Sequence, residues 1–330
     1  MTCSMKPELI AWASEHFELE ACQVEQLPVE ASTRKFWRCS NESESWILMD
    51  SPPATENNEQ FVTLSDVFLK AKVPVPRVIA CDLFKGFLVV SDVGKRSFLT
   101  SYREGTIAQP LKVAVETILN IQTIDDPAIP SYTKERLHDE LQIFREFICE
   151  AILGTVDQVF QSAAPVLVNQ IDMLPTVTVH RDFHCMNLLY LDRYPYIGVV
   201  DFQDALRGPI SYDLASLLFD CYWNHSIASF ESALTKYLYS AEKLDIPTVN
   251  SRSQLAEAIK FTAIQRLLKA AGIFVRLWMT KSQITHIPHV LPTLNKAQSL
   301  CSQVRHLSEL GSWLREGVIP GVSRRLESVT

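Results

Sequence analysis

Two short stretches decide how this chain is read: His180-Arg181-Asp182-Phe183-His184-Cys185-Met186-Asn187 and Val199-Val200-Asp201-Phe202-Gln203-Asp204. Each acidic motif follows an apolar, β-prone run, Val177-Thr178-Val179 in the first case and Ile197-Gly198-Val199-Val200 in the second. A carboxylate at the end of a buried strand is held rigidly at the edge of a cleft. Phosphoryl transfer asks little more of a protein than this. One carboxylate must orient the attacking hydroxyl and accept its proton, and hard oxygen ligands must hold Mg²⁺ against the phosphates. Asp182 fits the first role. Asn187 and Asp201 fit the second, because the Asp-x4-Asn spacing lets the loop fold back so that both side chains face one metal-phosphate site. His180 reads as a loop-holding residue and His184 as loop packing or a neighbour of the substrate. Asp204 fits a metal contact, a substrate contact or a helix cap equally well.

Working outward, the first ninety residues have a different texture from the rest. Residues 6–27 carry apolar residues at helical spacing, among them Leu9, Trp12, Ala13 and Phe17. Phe36–Cys39 and Trp46–Met49 are short, aromatic and β-prone, with Asn41-Glu42-Ser43-Glu44 as the turn of a hairpin. A helix is expected over 57–72, an extended stretch at Val73-Pro74-Val75-Pro76, and two strands at Arg77–Cys81 and Gly86–Ser91. Beyond residue 95 helical periodicity dominates, near 108–123, 134–150, 152–162, 211–223, 227–242, 252–277 and 291–309. The β-like pieces Thr176–His180, Leu188–Leu191 and Gly198–Asp201 form an island within it, and the tail from Pro320 reads as polar and frayed. The expected fold class is α+β with two lobes: residues 1–92 as a small antiparallel-sheet lobe and 93–330 as a larger helical lobe. The ligand cleft is expected between them.

Composition narrows the function classes. The 330 residues contain 10 glycines, the first at Gly86, so no P-loop or dinucleotide fingerprint fits in the opening quarter. A net charge of −7 argues against a chain-wide grip on nucleic acid or anionic lipid. The absence of a long apolar run and of a signal-like start implies a soluble, cytoplasmic chain. Eight dispersed cysteines without a C-x-x-C pair read as reduced, mostly buried hydrophobes.

The motifs taken in order resemble the protein-kinase-like fold in its aminoglycoside phosphotransferase form. The set is the His-x-Asp-x4-Asn loop, a strand-borne aspartate some twenty residues on, and Tyr212-Asp213-Leu214 opening a helix. On that resemblance Asp213 supports the backbone of the catalytic loop. Further stretches resemble the bacterial anomeric kinases of N-acetylmuramate and N-acetylglucosamine. They include Glu30–Arg38, Leu48-Met49-Asp50-Ser51-Pro52-Pro53, Gly86–Gly94, Asp201-Phe202-Gln203-Asp204-Ala205 and Gln265–Leu277. The resemblance implies ATP and Mg²⁺ as cofactors and transfer of the γ-phosphate to the C1 hydroxyl of an amino sugar. It also implies a functional link to a sugar 1-phosphate nucleotidyltransferase. It places adenine at the hinge Ser91, Asp92 and Val93. No lysine ends the third strand, which reads Ile47-Leu48-Met49-Asp50, so the phosphates are left to the glycine-free hairpin residues Ser32, Thr33, Arg34 and Lys35. Gln203, Asp204 and Arg276 are the candidate substrate contacts. The competing expectations are a kinase of another small alcohol, such as an aminoglycoside, choline or a different sugar, and a nucleotide-binding pseudokinase.

Overall fold

The alternation in the expected hairpin sorts its side chains to two faces, and the computed structural model, which describes residues 5–16, 18–19, 22–28 and 33–327, shows what each face meets. Strands β2 (Lys35–Ser40) and β3 (Ser45–Asp50) pair antiparallel with Trp37 opposite Leu48 and Cys39 opposite Trp46. The Asn41 side chain closes the turn, its Oδ1 accepting from the N–H groups of Ser43 and Glu44, each at 2.9 Å. With β1 (Gln23–Gln26), β4 (Val78–Asp82) and β5 (Phe87–Ser91) they make a five-stranded sheet in the order β1-β2-β3-β5-β4. One face carries Trp37, Cys39, Leu48, Phe87 and Val89 against Leu9, Trp12 and Ala13 of helix α1 (Pro7–Ser14). The other carries Ile47, Met49, Leu88 and Val90 against Phe61, Leu64 and Phe68 of helix α2 (Asn58–Lys70), continuous with the main core. A period of two therefore buries both faces.

Gly86, the first glycine of the chain, has φ +74°, and a Cβ there would meet the Ser51 carbonyl at 2.0 Å. That carbonyl belongs to the turn leaving β3, whose Ser51 N–H donates to the Gly86 carbonyl at 2.8 Å. Only glycine permits this approach.

After the sheet come β6 (Arg96–Ser97), α3 (Phe98–Arg103), α4 (Ala108–Gln122), α5 (Lys134–Phe144) and α6 (Gln158–Asp172). Then follow β7 (Thr176–Val179), β8 (Leu188–Tyr190), β9 (Ile197–Val199) and β10 (Leu206–Pro209). The chain ends in α7 (Tyr212–Leu218), α8 (Ile227–Lys243), α9 (Arg252–Lys281), α10 (Ile287–Cys301), α11 (Ser308–Trp313) and α12 (Ile319–Leu326). Helix α9 is 30 residues long, and α5, α6, α7 and α10 all pack on it. The expected β island is present as two small sheets, β7 with β10 and β8 between β6 and β9. The fold is thus α+β, with an antiparallel sheet first and a mostly helical remainder.

Four readings change. The helix expected over 6–27 stops at Ser14, and Gln23–Gln26 pairs with β2 as a strand. The helix expected over 152–162 begins at Gln158, because Asp157 caps it by accepting from the Val159 N–H at 2.8 Å. The helix expected over 211–223 ends at Leu218, and Asp220 then turns the chain by accepting from the N–H groups of Cys185 and Tyr222. The tail is helical rather than frayed through Leu326: Leu314, Val318, Val322 and Leu326 recur every four residues and are all buried. Seven of the cysteines are free, four of them buried, while Cys3, like Phe17, lies outside the described residues. No described helix is long and apolar enough to cross a membrane.

Candidate active site

Strand β7 ends at Val179, and the next two residues are fixed by one carboxylate from the first turn of α7. Asp213 is fully buried, and its two oxygens accept from the N–H groups of His180 at 2.7 Å and Arg181 at 2.9 Å. This allows Arg181 to hold φ +79°, a conformation that costs a non-glycine residue free energy. The buried His180 ring faces the Val200 carbonyl at 3.0 Å; a carbonyl only accepts, so Nε2 carries the proton. Burial lowers the His180 pKa and keeps the ring neutral. The hydrogen bond ties the loop to the end of β9, and there Asp201 has φ +65°. Both acidic motifs thus leave their strands through left-handed residues.

Asp182 follows, half-exposed. Its Oδ1 lies 3.6 Å from Arg266 of α9, which also donates to the Arg181 carbonyl at 3.1 Å. Burial pushes the Asp182 carboxyl up, but Lys269, Arg266, His184 and Arg181 outweigh it and hold the group well below the usual carboxylate range. Asn187 folds back as its spacing suggests. Its Nδ2 donates to the Asp182 carbonyl at 3.0 Å and approaches the Asp201 carboxylate at 3.4 Å, which leaves Oδ1 to accept or to ligate. The Asp201 carboxyl is raised, by desolvation first and by the Asp182 charge second. Gln203 donates to Asp201 at 2.7 Å. Asp204 is exposed, and its backbone carbonyl accepts from Arg181 at 3.3 Å.

Beneath the loop lies a group that the sequence reading missed. Glu140 of α5 is almost wholly buried and accepts from Arg181 at 2.7 Å, Lys269 at 2.9 Å, Gln265 at 3.1 Å and the Tyr132 hydroxyl. Burial raises its pKa, but Lys269 and Arg181 win and bring it down to about 2. A lone Glu in an exposed-looking helix gives no sign of this. The nearest signal is that Arg266 and Lys269 sit three apart on one face of an otherwise apolar helix.

The glycine-free hairpin is built from side chains. Arg34 is 6% exposed. Its Nε donates to Ser51 at 3.2 Å, it pairs with Glu56 at 3.0 Å, and its guanidinium lies 5.7 Å from the Phe61 ring centre. Thr33 donates to the same Glu56 at 2.7 Å. The Arg34 charge reaches Asp201 and acts to lower its pKa. Phe61 and Phe68 of α2 touch Phe202, the residue after Asp201, at ring separations of 5.0 and 5.7 Å. The structure therefore brings Thr33, Arg34, Asp182, Asn187, Asp201 and Gln203 to one neighbourhood. Lys35 is exposed at the start of β2, Asp50 opposite it pairs with Lys6 at 2.9 Å, and Ser32 lies outside the described residues.

Two expected contacts stand apart. At the hinge, Ser91 accepts from the Arg77 N–H at 2.9 Å. The Asp92 carboxylate is taken by Arg38, Ser45 and the Gly94 N–H at 2.6–3.2 Å. The Val93 carbonyl lies so close to Gly198 that a Cβ there would meet it at 2.3 Å, so β9 passes directly beneath the hinge. Arg276 is ten residues beyond Arg266, about 15 Å along α9. It forms no ion pair among the described residues.

A two-oxygen set of one carboxylate and one amide, beside a carboxylate backed by buried cations, matches the parts phosphoryl transfer needs. The description of the phosphotransferase enzyme family matches residues 23–242 of the chain. The chain belongs to that family. It is a phosphotransferase of the kinase-like fold, and its similarity to known proteins extends well past the matched segment. The N-acetylmuramate/N-acetylglucosamine kinase of Pseudomonas aeruginosa is 30% identical over 292 residues, covering 86% of each chain. The enzyme of the same name from Neisseria meningitidis is 29% identical over 298 residues, covering 87% of this chain and 88% of its own. Among solved structures, the ethanolamine kinase of Plasmodium vivax superposes with a TM-score of 0.66 at 14% identity, over 90% of this chain and 88% of its own. That likeness is one of fold.

Proposed function

We propose that this phosphotransferase moves the γ-phosphate of ATP to the anomeric C1 hydroxyl of N-acetylmuramate or N-acetylglucosamine. The product is then a sugar 1-phosphate, suited to a nucleotidyltransferase that makes a UDP-sugar, and the need for ATP suits the cytoplasm. The names of the two relatives support the substrate class. The observation that carries the reaction is the Asn187 amide, held between the Asp182 backbone and the Asp201 carboxylate.

In this reading residues 1–92 bind the nucleotide and residues 93–330 supply the acceptor site. Asp182 orients the sugar hydroxyl and takes its proton as attack proceeds. Its low pKa suits orientation first, since a strong base is not needed when the hydroxyl becomes acidic only late in a loose transition state. Asp201 and the Asn187 Oδ1 are the hard oxygens that would hold Mg²⁺, a small set that phosphate oxygens complete. Bound there, Mg²⁺ supplies charge neutralisation on the phosphates. Gln203 fixes the Asp201 carboxylate. Arg34, anchored by Glu56 and Ser51, stands in for the absent strand lysine, with Thr33 beside it, Lys35 as the outer cation and Ser32 as a further phosphate contact. Backbone groups at Ser91–Val93 meet the adenine, while Asp204 and Arg276 remain on the acceptor side.

Purified protein with ATP and Mg²⁺ should convert either sugar to a product whose phosphorus NMR signal is that of a C1 phosphate. Turnover of kanamycin alone would overturn the sugar reading. Unaltered turnover by Asp201→Ala would overturn the metal assignment.

A further inference from the structure

One side of the site has no role so far. From the catalytic loop a run of rings leads outward. His184, whose N–H donates to the Asp182 carbonyl at 3.0 Å, lies 5.4 Å from Tyr222 between ring centres. Tyr222 lies 4.9 Å from His289, and behind them Phe274 stacks on His286 at 5.0 Å with planes 7° apart. Phe274 and His286 are buried, whereas His184, Tyr222 and His289 are half-buried. Phe274 is eight residues past Arg266, the residue that reaches Asp182, about 12 Å along α9.

The charge of the wall is as telling as its shape. Residues 258–308, which include most of α9 and all of α10, contain no Asp or Glu and seven Lys or Arg; Arg266 and Lys269 among them face Asp182 and Glu140, while Lys296 donates to the Trp223 carbonyl beside Tyr222 at 2.9 Å. Asp220, two residues before Tyr222, is 1% exposed and spends both oxygens on backbone N–H groups, those of Cys185 at 2.8 Å and Tyr222 at 2.7 Å. A wall of this kind attracts anions and repels cations. Its rings match the apolar C–H face of a sugar, and imidazole N–H groups can donate to a carboxylate.

We propose that Tyr222, His289 and His184 form the acceptor subsite. Tyr222 serves as the platform for the pyranose, and His289 selects an amino sugar that bears a carboxylate over its neutral counterpart. Cationic alcohols are excluded by the same field. The proposal rests on the sugar-kinase reading above and assigns specificity within it.

The test is steady-state kinetics with N-acetylmuramate, N-acetylglucosamine and choline as acceptors. Wild type is expected to rank them in that order by kcat/KM. Tyr222→Ala should raise KM for both sugars about tenfold and leave KM for ATP unchanged. Tyr222→Phe should stay within about twofold of wild type, because the ring and not the hydroxyl is used. His289→Gln should narrow the preference for the carboxylate sugar about fivefold, chiefly through its KM. The unchanged KM for ATP and an unchanged melting temperature separate these effects from misfolding. The subsite is overturned if Tyr222→Ala, active and folded, keeps wild-type KM for both sugars. The charge selection is overturned if wild type prefers the neutral sugar or choline, or if His289→Gln leaves the ratio unaltered. Wild type that phosphorylates neither sugar overturns the sugar-kinase reading, and this proposal with it.

Discussion

The two charged corners of the candidate site are held in opposite ways. At the Asp182 corner the backbone itself is held: strand β7 delivers the loop, Asp213 fixes two consecutive N–H groups, and His180 ties it to the end of β9. At the Arg34 corner side chains do it: Glu56, Ser51 and Phe61 hold one guanidinium at the edge of a hairpin without glycine. The first arrangement fixes a group to within a rotamer and tolerates little change. The second tolerates rearrangement, because long side chains can re-form contacts. The catalytic carboxylate needs the first kind of control, since misplacement of a reacting group is costly. A phosphate contact can live with the second.

The sharpest way to break the comparison is to remove chemistry from the rigid corner without touching its scaffold. Asp182→Asn keeps size and shape but cannot accept the proton, and its backbone carbonyl still receives Asn187. A fall in kcat of about 10³-fold is expected, with KM for ATP unchanged. Stopped-time assays and circular dichroism together check it. A loss below tenfold would show that the loop geometry matters more than the carboxylate.

Next is the support beneath that corner. Glu140 has a folded-state pKa of about 2 against an ordinary 4.5, so its carboxylate favours the folded state. The sign follows from linkage: the contribution is fully present above pH 4.5 and is lost as pH falls from there towards 2. Removing the carboxylate leaves Arg181 and Lys269 facing each other without their shared partner. Glu140→Ala should therefore cost about 3 kcal/mol or more at neutral pH. Glu140→Gln should flatten the acid limb of a stability-against-pH curve. Urea titrations between pH 2 and 7 read both. An unaltered acid limb in the Gln variant would remove Glu140 from the account of this corner.

The same contrast explains what was legible in the sequence. Backbone-held sites need fixed local spacing, so Asp182, Asn187, Asp201 and Asp213 were readable as a motif, and the strands that carry them were readable from their apolar runs. The sheet hairpin was readable for the same reason. Side-chain-held features depend on which two long side chains meet, and their pairing follows no fixed motif. Arg34 meets Glu56 after 22 residues and Arg181 meets Glu140 across 41, and no local pattern announces either pair. Polar strand β1 carries no sequence signature of a strand, because Gln23–Gln26 has an exposed or half-exposed side chain at every position and so shows no alternation. The tail was taken for a frayed end because its buried stripe starts at Leu314, upstream of the polar residues that dominate its composition.

The smallest expected effects come from the adaptable corner. Arg34 donates through a fork that serves Ser51 and Glu56 at once, which a lysine cannot reproduce. Arg34→Ala should lower kcat/KM for ATP about thirtyfold, or about 2 kcal/mol, the size of one hydrogen bond to a charged group. Arg34→Lys should recover part of it. Glu56→Gln retains Thr33 as a donor partner and loses only the ion pair, so about fivefold is expected. Equilibrium binding of a fluorescent ATP analogue, measured without acceptor, separates nucleotide affinity from turnover. If all three variants bind nucleotide as wild type does, Arg34 is a hairpin brace, and the exposed Lys35 becomes the phosphate cation to test. If the graded order holds, a buried arginine clamped by helix α2 performs the task that the sequence leaves without a strand lysine. The glycine-free loop then works because its side chains, and not its amides, reach the phosphates.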